Sequence, residues 1–255
     1  MQIRRNGVAL GYEEAGKGSP ALLLVHGWGL DRSALRPTFD WACRTRRVVA
    51  VDLRGFGESD KPKGLYPIAQ FADDLAFTIE TLELGASLVI GHSLGGSVVL
   101  DLAARHPALV AAAALLEPMV VPAPGVLAGL QPMLAGVRSS SYRERASGVM
   151  SYLTQGEFPP DARQRLMELA ANCEQHVLVS ALEGLLAYDS GAAASKVRCP
   201  LLYVGTTTVY ADLQRFQRLC PQLEVEQLAG LGHYFPLQAP EALHQVLEHF
   251  IRDLT

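Results

Sequence analysis

The sequence predicts an α/β fold: a mostly parallel β-sheet flanked by helices. Three observations predict it. Short apolar runs of strand length alternate with stretches of helical period. The strand-like runs are apolar throughout rather than on alternate residues, as expected of strands covered on both faces. Apolar residues make up 49% and charged residues 19% of the 255 positions, enough for a sizeable core in one domain that carries an insertion.

The N-terminus, MQIRRNGVALGYEEAG, alternates polar and apolar residues around Asn6-Gly7. It reads as a β-hairpin rather than a signal peptide. Buried strands follow at Ala21–His26, Arg47–Asp52, Leu88–Gly91, Ala111–Glu117, Leu201–Gly205 and Leu223–Leu228. A helix is expected from Pro67, with Ile68, Phe71, Leu75, Ile79 and Leu82 on one face. A last helix is expected from Pro240, with Leu243, Val246, Leu247, Phe250, Ile251 and Leu254 on one face.

Residues 119–195 break the alternation. They hold no convincing strand and run from the Pro/Gly-rich MVVPAPGVLAGLQPMLAGV to a helical part around Ala162–Leu186. The stretch is too long for an ordinary connection. The expected organisation is therefore a core of residues 1–118 and 196–255, with 119–195 as a helical cap over a site.

Composition narrows the function. The net charge of −4 gives no reason to expect nucleic acid or an anionic membrane surface as partner. No apolar run approaches the roughly 18 residues of a membrane span. Cys43, Cys173, Cys199 and Cys220 are scattered without a CxxC pair, which suits reduced thiols in a cytoplasmic protein and no metal site.

The chemistry centres on VIGHSLGGSVV, residues 89–99. Gly91-His92-Ser93-Leu94-Gly95 fits G-x-S-x-G at a strand-to-helix junction, where small neighbours let a tight turn lift a serine hydroxyl clear. In an open α/β sheet, ligands bind at the carboxyl ends of the strands, and Ser93 stands at such an end.

Seven histidines compete to be its base. His26 ends a strand and reads as shaping that loop. His92 neighbours Ser93 but points its side chain away. His106 ends a helix beside Pro107, His176 lies in the insertion, and His244 and His249 lie off the apolar stripe of the last helix, where exposure to solvent is expected. His233, in LAGLGHYFP, follows the last strand and returns to the same sheet edge, between Gly230 and Gly232 and the last helix. It is the expected base. The oxyanion hole needs two backbone N–H donors, expected from Leu94 after the nucleophile and Trp28 in His26-Gly27-Trp28-Gly29.

These residues together resemble the α/β-hydrolase family over nearly the whole chain. LLLVHGWGLD, VVAVDLRGFGESDKP, LVIGHSLGG and LAGLGHYFPLQAPE are each similar to a block of that family, in order. In DLRGFGESD, Gly55 and Gly57 superficially suggest a nucleotide loop, but the third glycine is absent and the family uses this block as a structural loop. Dehalogenases and epoxide hydrolases of the fold use an aspartate where this chain has Ser93. The resemblance therefore implies a cofactor-free, serine-type hydrolase with a Ser-His-acid triad.

The acid is where the family pattern fails. Its commonest position lies a few residues after the strand Leu201–Gly205, but this loop reads TTTVYAD, with its first carboxylate only at Asp212, before a helical stretch. The alternative lies one strand earlier, at Glu117 in AAAALLEPMVVP, where some family members are similar. Glu117 is the first choice, Asp212 the second, and a Ser93–His233 pair without a carboxylate the third.

The expected function is cleavage of a small, fairly apolar carboxylic ester or lactone through an acyl-enzyme. The rivals are a C–C bond hydrolase or cofactor-free dioxygenase on the same fold, and a receptor-like binding module with slow turnover. In the insertion, Arg138, Arg143 and Arg145 surround Tyr142. They read as a solvated helix face or as a dock for a carrier-bound substrate.

Overall fold

The computed structural model describes residues 1–207 and 210–252. Thr208 and Val209 of the TTTVYAD loop, and Leu254 of the final apolar stripe, lie outside the described residues. The strands are β1 (Gln2–Arg5), β2 (Val8–Ala15), β3 (Leu22–Val25), β4 (Val48–Val51), β5 (Ser87–His92), β6 (Val110–Leu116), β7 (Leu201–Gly205) and β8 (Leu223–Gln227). They form one sheet in the order β1-β2-β4-β3-β5-β6-β7-β8. β2 pairs antiparallel with β1 and β4, and the pairs from β4 through β8 are parallel. Asn6 and Gly7 turn the β1–β2 hairpin with φ of 50° and 82°, the left-handed pair that a two-residue hairpin turn requires.

The helices are α1 (Arg36–Ala42), α2 (Ile68–Thr81), α3 (Leu94–Arg105), α4 (Val126–Gly129), α5 (Gln131–Arg138), α6 (Tyr142–Leu153), α7 (Pro160–Asn172), α8 (Gln175–Leu186), α9 (Ser190–Ala194), α10 (Leu213–Leu219), α11 (Phe235–Gln238) and α12 (Pro240–Arg252). The apolar strands explain why helices cover both faces. Leu23, Val25, Val49, Val51, Val89 and Leu115 point into one core with α2, α3 and α10. Leu22, Leu24, Val48, Ala50, Ile90 and Leu116 point into the other, with α1 and α12. Successive strand residues thus serve opposite cores, as the two-residue strand period demands. α12 buries Leu243, Leu247, Phe250 and Ile251 on the second face, each worth about 1.5–3 kcal/mol of burial.

β6 and β7 are joined by the six helices α4–α9, with one isolated bridge, Pro122 to Ala211, leading out of the sheet. This helical excursion lies over the carboxyl ends of the strands. The Trp28 indole N–H donates to the Leu178 carbonyl at 2.9 Å. Arg165 reaches the Ser33 hydroxyl, and the Tyr234 hydroxyl donates to the Met150 sulfur at 3.1 Å. No helix among the described residues is long and apolar enough to cross a membrane.

Candidate active site

Ser93 stands between β5 and α3. Because β5 lies between β3 and β6, the loop after β3 and the loop after β6 flank it. Ser93 has φ 55° and ψ −118°, a conformation that costs a non-glycine residue about 1–3 kcal/mol and persists only where the surroundings enforce it. Three glycines enforce it. A β-carbon at Gly91 would overlap the Gly95 carbonyl, one at Gly95 would overlap the Val25 and His26 carbonyls, and one at Gly96 would press on Pro118. The helix therefore starts flush against the neighbouring strand ends, and the serine N–H donates to the Leu116 carbonyl at 2.9 Å.

Gly27 passes directly beside the serine: a β-carbon there would lie 3.2 Å from Ser93 Cβ. Trp28 follows, its ring buried and fixed by the bond to Leu178. Leu94 is the first residue of α3, so its N–H belongs to the donors a helix start leaves without an intrahelical partner.

Glu117 follows β6 directly, with φ 45° and its side chain fully buried. Its Oε1 accepts from the Thr206 N–H at 2.7 Å and lies 3.3 Å from the Thr206 hydroxyl. Its Oε2 lies 3.5 Å from His233 Nδ1. That distance is longer than a tight charge-assisted bond. Asp212 is used elsewhere: its carboxylate accepts from the Arg215 N–H at 2.9 Å and caps α10.

His233 reaches the site on the loop between β8 and α11. Gly230 adopts φ 79°, as the loop requires; Gly232 instead donates its N–H to the Gln238 side chain at 2.7 Å, so only one of the two glycines is needed for a left-handed turn. Around the His233 ring lie His92 at 4.8 Å, Tyr234 at 5.0 Å and Tyr210 at 5.9 Å between centroids. Burial, and then the charge of Glu117, push the Tyr210 phenol up to about 12 and the Tyr203 phenol higher, so both stay neutral beside the carboxylate.

Of the other histidines, His26 is a staple. Its Nδ1–H donates to the Gly27 carbonyl at 2.8 Å and its Nε2 accepts from the Leu53 N–H at 3.0 Å, tying the loops after β3 and β4. Burial holds its pKa below the usual range. His244 corrects the expectation of exposure: it stacks on Trp41 at 4.6 Å and 8°, and burial lowers its pKa. Its place beside the apolar stripe brings it against α1, which packs on α12. His249 is exposed as expected.

The Gly55–Gly57 loop holds no anion cradle. Asp52 fills it, accepting from the N–H groups of Arg32 and Glu58 at 2.8 Å each and from the Arg32 guanidinium. Its carboxylate would repel a phosphate. Two of the insertion arginines are engaged internally: Arg138 pairs with Glu183 at 2.6 Å, and Arg143 donates to the Ala171 carbonyl and lies over Tyr142, while Arg145 is exposed. The four cysteines are free thiols, and among the described residues no group of three or more His, Cys, Asp and Glu side chains could hold a metal ion.

Sequence reasoning passed over two contributors. Thr206 holds Glu117 mainly through a backbone N–H, which no residue type announces. His92 donates through Nε2 to the His233 carbonyl at 2.9 Å, a contact spanning 141 positions.

A serine on a strained elbow in an α/β sheet, at the same sheet edge as a histidine–carboxylate pair, defines a class of enzyme: hydrolases of this architecture. The chain belongs to the alpha/beta hydrolase family, whose sequence model matches residues 22–246. It is 28% identical over 263 residues to the 2-(acetamidomethylene)succinate hydrolase of Mesorhizobium japonicum, covering 96% of this chain and 92% of that protein. It is 36% identical over 151 residues to the 2-hydroxymuconate semialdehyde hydrolase of Pseudomonas putida, covering 54% and 53% of the two chains. Its fold is similar to that of the enol-lactonase from Burkholderia xenovorans LB400, with a TM-score of 0.86, 22% identity, and 99% and 100% coverage.

Proposed function

We propose that this protein cleaves a small, fairly apolar carboxylic ester or lactone through an acyl-enzyme on Ser93. The observation that carries the reading is the strained Ser93 elbow at the same sheet edge as the Glu117–His233 pair. His233 Nδ1–H faces Glu117, which leaves Nε2 to take the serine proton. The serine oxygen then bonds to the substrate carbonyl carbon. The Trp28 and Leu94 N–H groups receive the resulting oxyanion. As the tetrahedral intermediate collapses, the bond to the leaving oxygen breaks and His233 gives that oxygen its proton. Water, deprotonated by the same histidine, releases the acid and restores the serine. Glu117 orients His233 and balances its transient positive charge.

The apolar part of the reading rests on the cap. Met150 and Ala170 lie over Gly29, beside the loop that carries Trp28. Cleavage of a carbon–carbon bond by the same serine is the second reading, favoured by the similarity to the 2-hydroxymuconate semialdehyde hydrolase. A carrier-bound ester would meet Arg145, exposed on α6, while Arg138 and Arg143 hold partners within the cap.

The test is turnover on a panel of p-nitrophenyl esters, lactones, thioesters and vinylogous 1,5-diketones, with fluorophosphonate labelling alongside. Ester or lactone turnover and labelling, both lost in Ser93→Ala, are expected. Turnover of the diketones alone would favour the second reading. Oxygen-dependent turnover, or ligand stabilisation without multiple turnover, would overturn hydrolysis in favour of a dioxygenase or a receptor. Equal labelling of wild type and Ser93→Ala would remove the nucleophile assignment.

A further inference from the structure

His92 is buried at the floor of the site, next in the chain to Ser93. A leucine or phenylalanine would fill such a position without the cost of desolvating an imidazole. The imidazole does what neither could. Its Nε2–H donates to the backbone carbonyl of His233 at 2.9 Å. Its ring packs against His233 at 4.8 Å and Tyr234 at 4.9 Å. On its other side, Nδ1 borders Gly27, where a β-carbon would stand 3.3 Å from it and 3.2 Å from Ser93 Cβ. One side chain thus spans the strand of the nucleophile, the loop beside it, and the loop of the base.

We propose that His92 is a positioning residue, whose hydrogen bond to the His233 carbonyl sets the base over Ser93. This rests on the serine–histidine reading above. The loop needs such a tie. Of its polar anchors, Gly232 N–H bonds to Gln238, whose amide in turn reaches the Glu157 carbonyl of the cap, so that anchor follows the cap. The His92 bond ties the backbone of His233 itself to the last residue of β5, the strand that carries the nucleophile. Burial, and then the neighbouring His233, bring the His92 pKa down to about 3, so the ring stays neutral and keeps its donor while His233 cycles its proton. A neutral ring also spares His233 a cationic neighbour at the moment it becomes charged.

The experiment compares wild type, His92→Leu, His92→Gln and His92→Asn by the rate of fluorophosphonate labelling and by kcat and KM on the best p-nitrophenyl ester, with thermal unfolding as the fold control. A glutamine places its amide N–H close to the Nε2 position, whereas an asparagine ends near Nδ1. His92→Leu is expected to lower kcat and the labelling rate by about 10²-fold, the usual cost of a misplacement of about 1 Å, with KM little changed. His92→Gln is expected to recover most of that loss and His92→Asn little of it. If His92→Leu fails to fold, the two amides decide: equal rates in Gln and Asn overturn the proposal, as does a His92→Leu protein with wild-type kcat. Ser93→Ala, run in parallel, separates the two readings. Its retained turnover would overturn the serine mechanism and this proposal together, whereas a dead Ser93→Ala beside a fully active His92→Leu would overturn this proposal alone.

Discussion

The two loops that face each other across the site are held in opposite ways. The Ser93 elbow is held by contact. Gly91 and Gly95 press backbone against backbone, on the helix start and on the end of β3, and Gly96 presses on Pro118 just past β6. The His233 loop is held by polar groups drawn from far away: Glu117 at 116 positions' distance, His92 at 141, and the cap through Gln238 and Tyr234. Steric support is indifferent to pH. Polar support is long-range, titrates, and moves with the elements that supply it.

The largest expected effect breaks the polar side. In Glu117→Gln, the amide oxygen keeps the bond from Thr206 N–H, so the NH2 faces His233 Nδ1. The imidazole must then accept there and carry its proton on Nε2, where it no longer takes one from Ser93. A loss of about 10³–10⁴ in kcat is expected, as in other triads whose acid becomes an amide, with the melting temperature nearly kept. Asp212→Asn is the control: as a helix cap it should cost up to about 1 kcal/mol in stability and leave kcat alone. Steady-state kinetics and thermal melts of the pair check this, and the opposite pattern would move the acid to Asp212.

Gly95→Ala probes the steric side. Its β-carbon would meet the Val25 and His26 carbonyls, which have no rotamer by which to yield. Overpacking costs about 1–3 kcal/mol, and this site should fall at the upper end, with labelling of Ser93 lost as the elbow shifts. Urea denaturation measures the first and the fluorophosphonate probe the second. An unchanged midpoint would show that the elbow is softer than its contacts imply.

The most gradual effect is the pH dependence of stability. His92 and His26 both have folded pKa values below the unfolded value of 6.5. Between those values the unfolded chain binds protons that the folded chain refuses. The His92 contribution is therefore fully present above about pH 6.5 and is lost as pH falls toward 3, at up to about 1.4 kcal/mol per pH unit, and that of His26 declines in the same direction. Denaturation at pH 7.5, 6 and 5 should show the decline, and His92→Gln should flatten the slope by one proton. A slope unaltered by that substitution would mean that His92 charges in the folded state.

How much of this was legible follows the same division. Gly91, Ser93 and Gly95 announce the elbow in five residues, because the turn needs small residues at fixed spacing, although the carbonyls that exclude a side chain at Gly95 belong to Val25 and His26. His233 emerged by elimination, from its place after the last strand. The carboxylate beside it did not: the sequence left Glu117 and Asp212 open, since both follow strands that end at the same edge. Their separation came from Thr206, which fixes Glu117 through its backbone, and from α10, whose first turn occupies Asp212. His244 misled because a position off the apolar stripe of α12 still meets Trp41 of another helix.

By itself, the sequence determined the alternating α/β order, the hairpin at Asn6-Gly7, the elbow and the helical excursion between β6 and β7. Each depends on periodicity or on the steric demands of neighbouring residues, and these are written within a short window. Only the tertiary structure decided which carboxylate lies against His233, that His92 bonds to the His233 backbone, and that the cap reaches the same loop. Those contacts join residues roughly 80 to 140 positions apart, and what they require is the meeting of particular atoms in space, which no local pattern encodes.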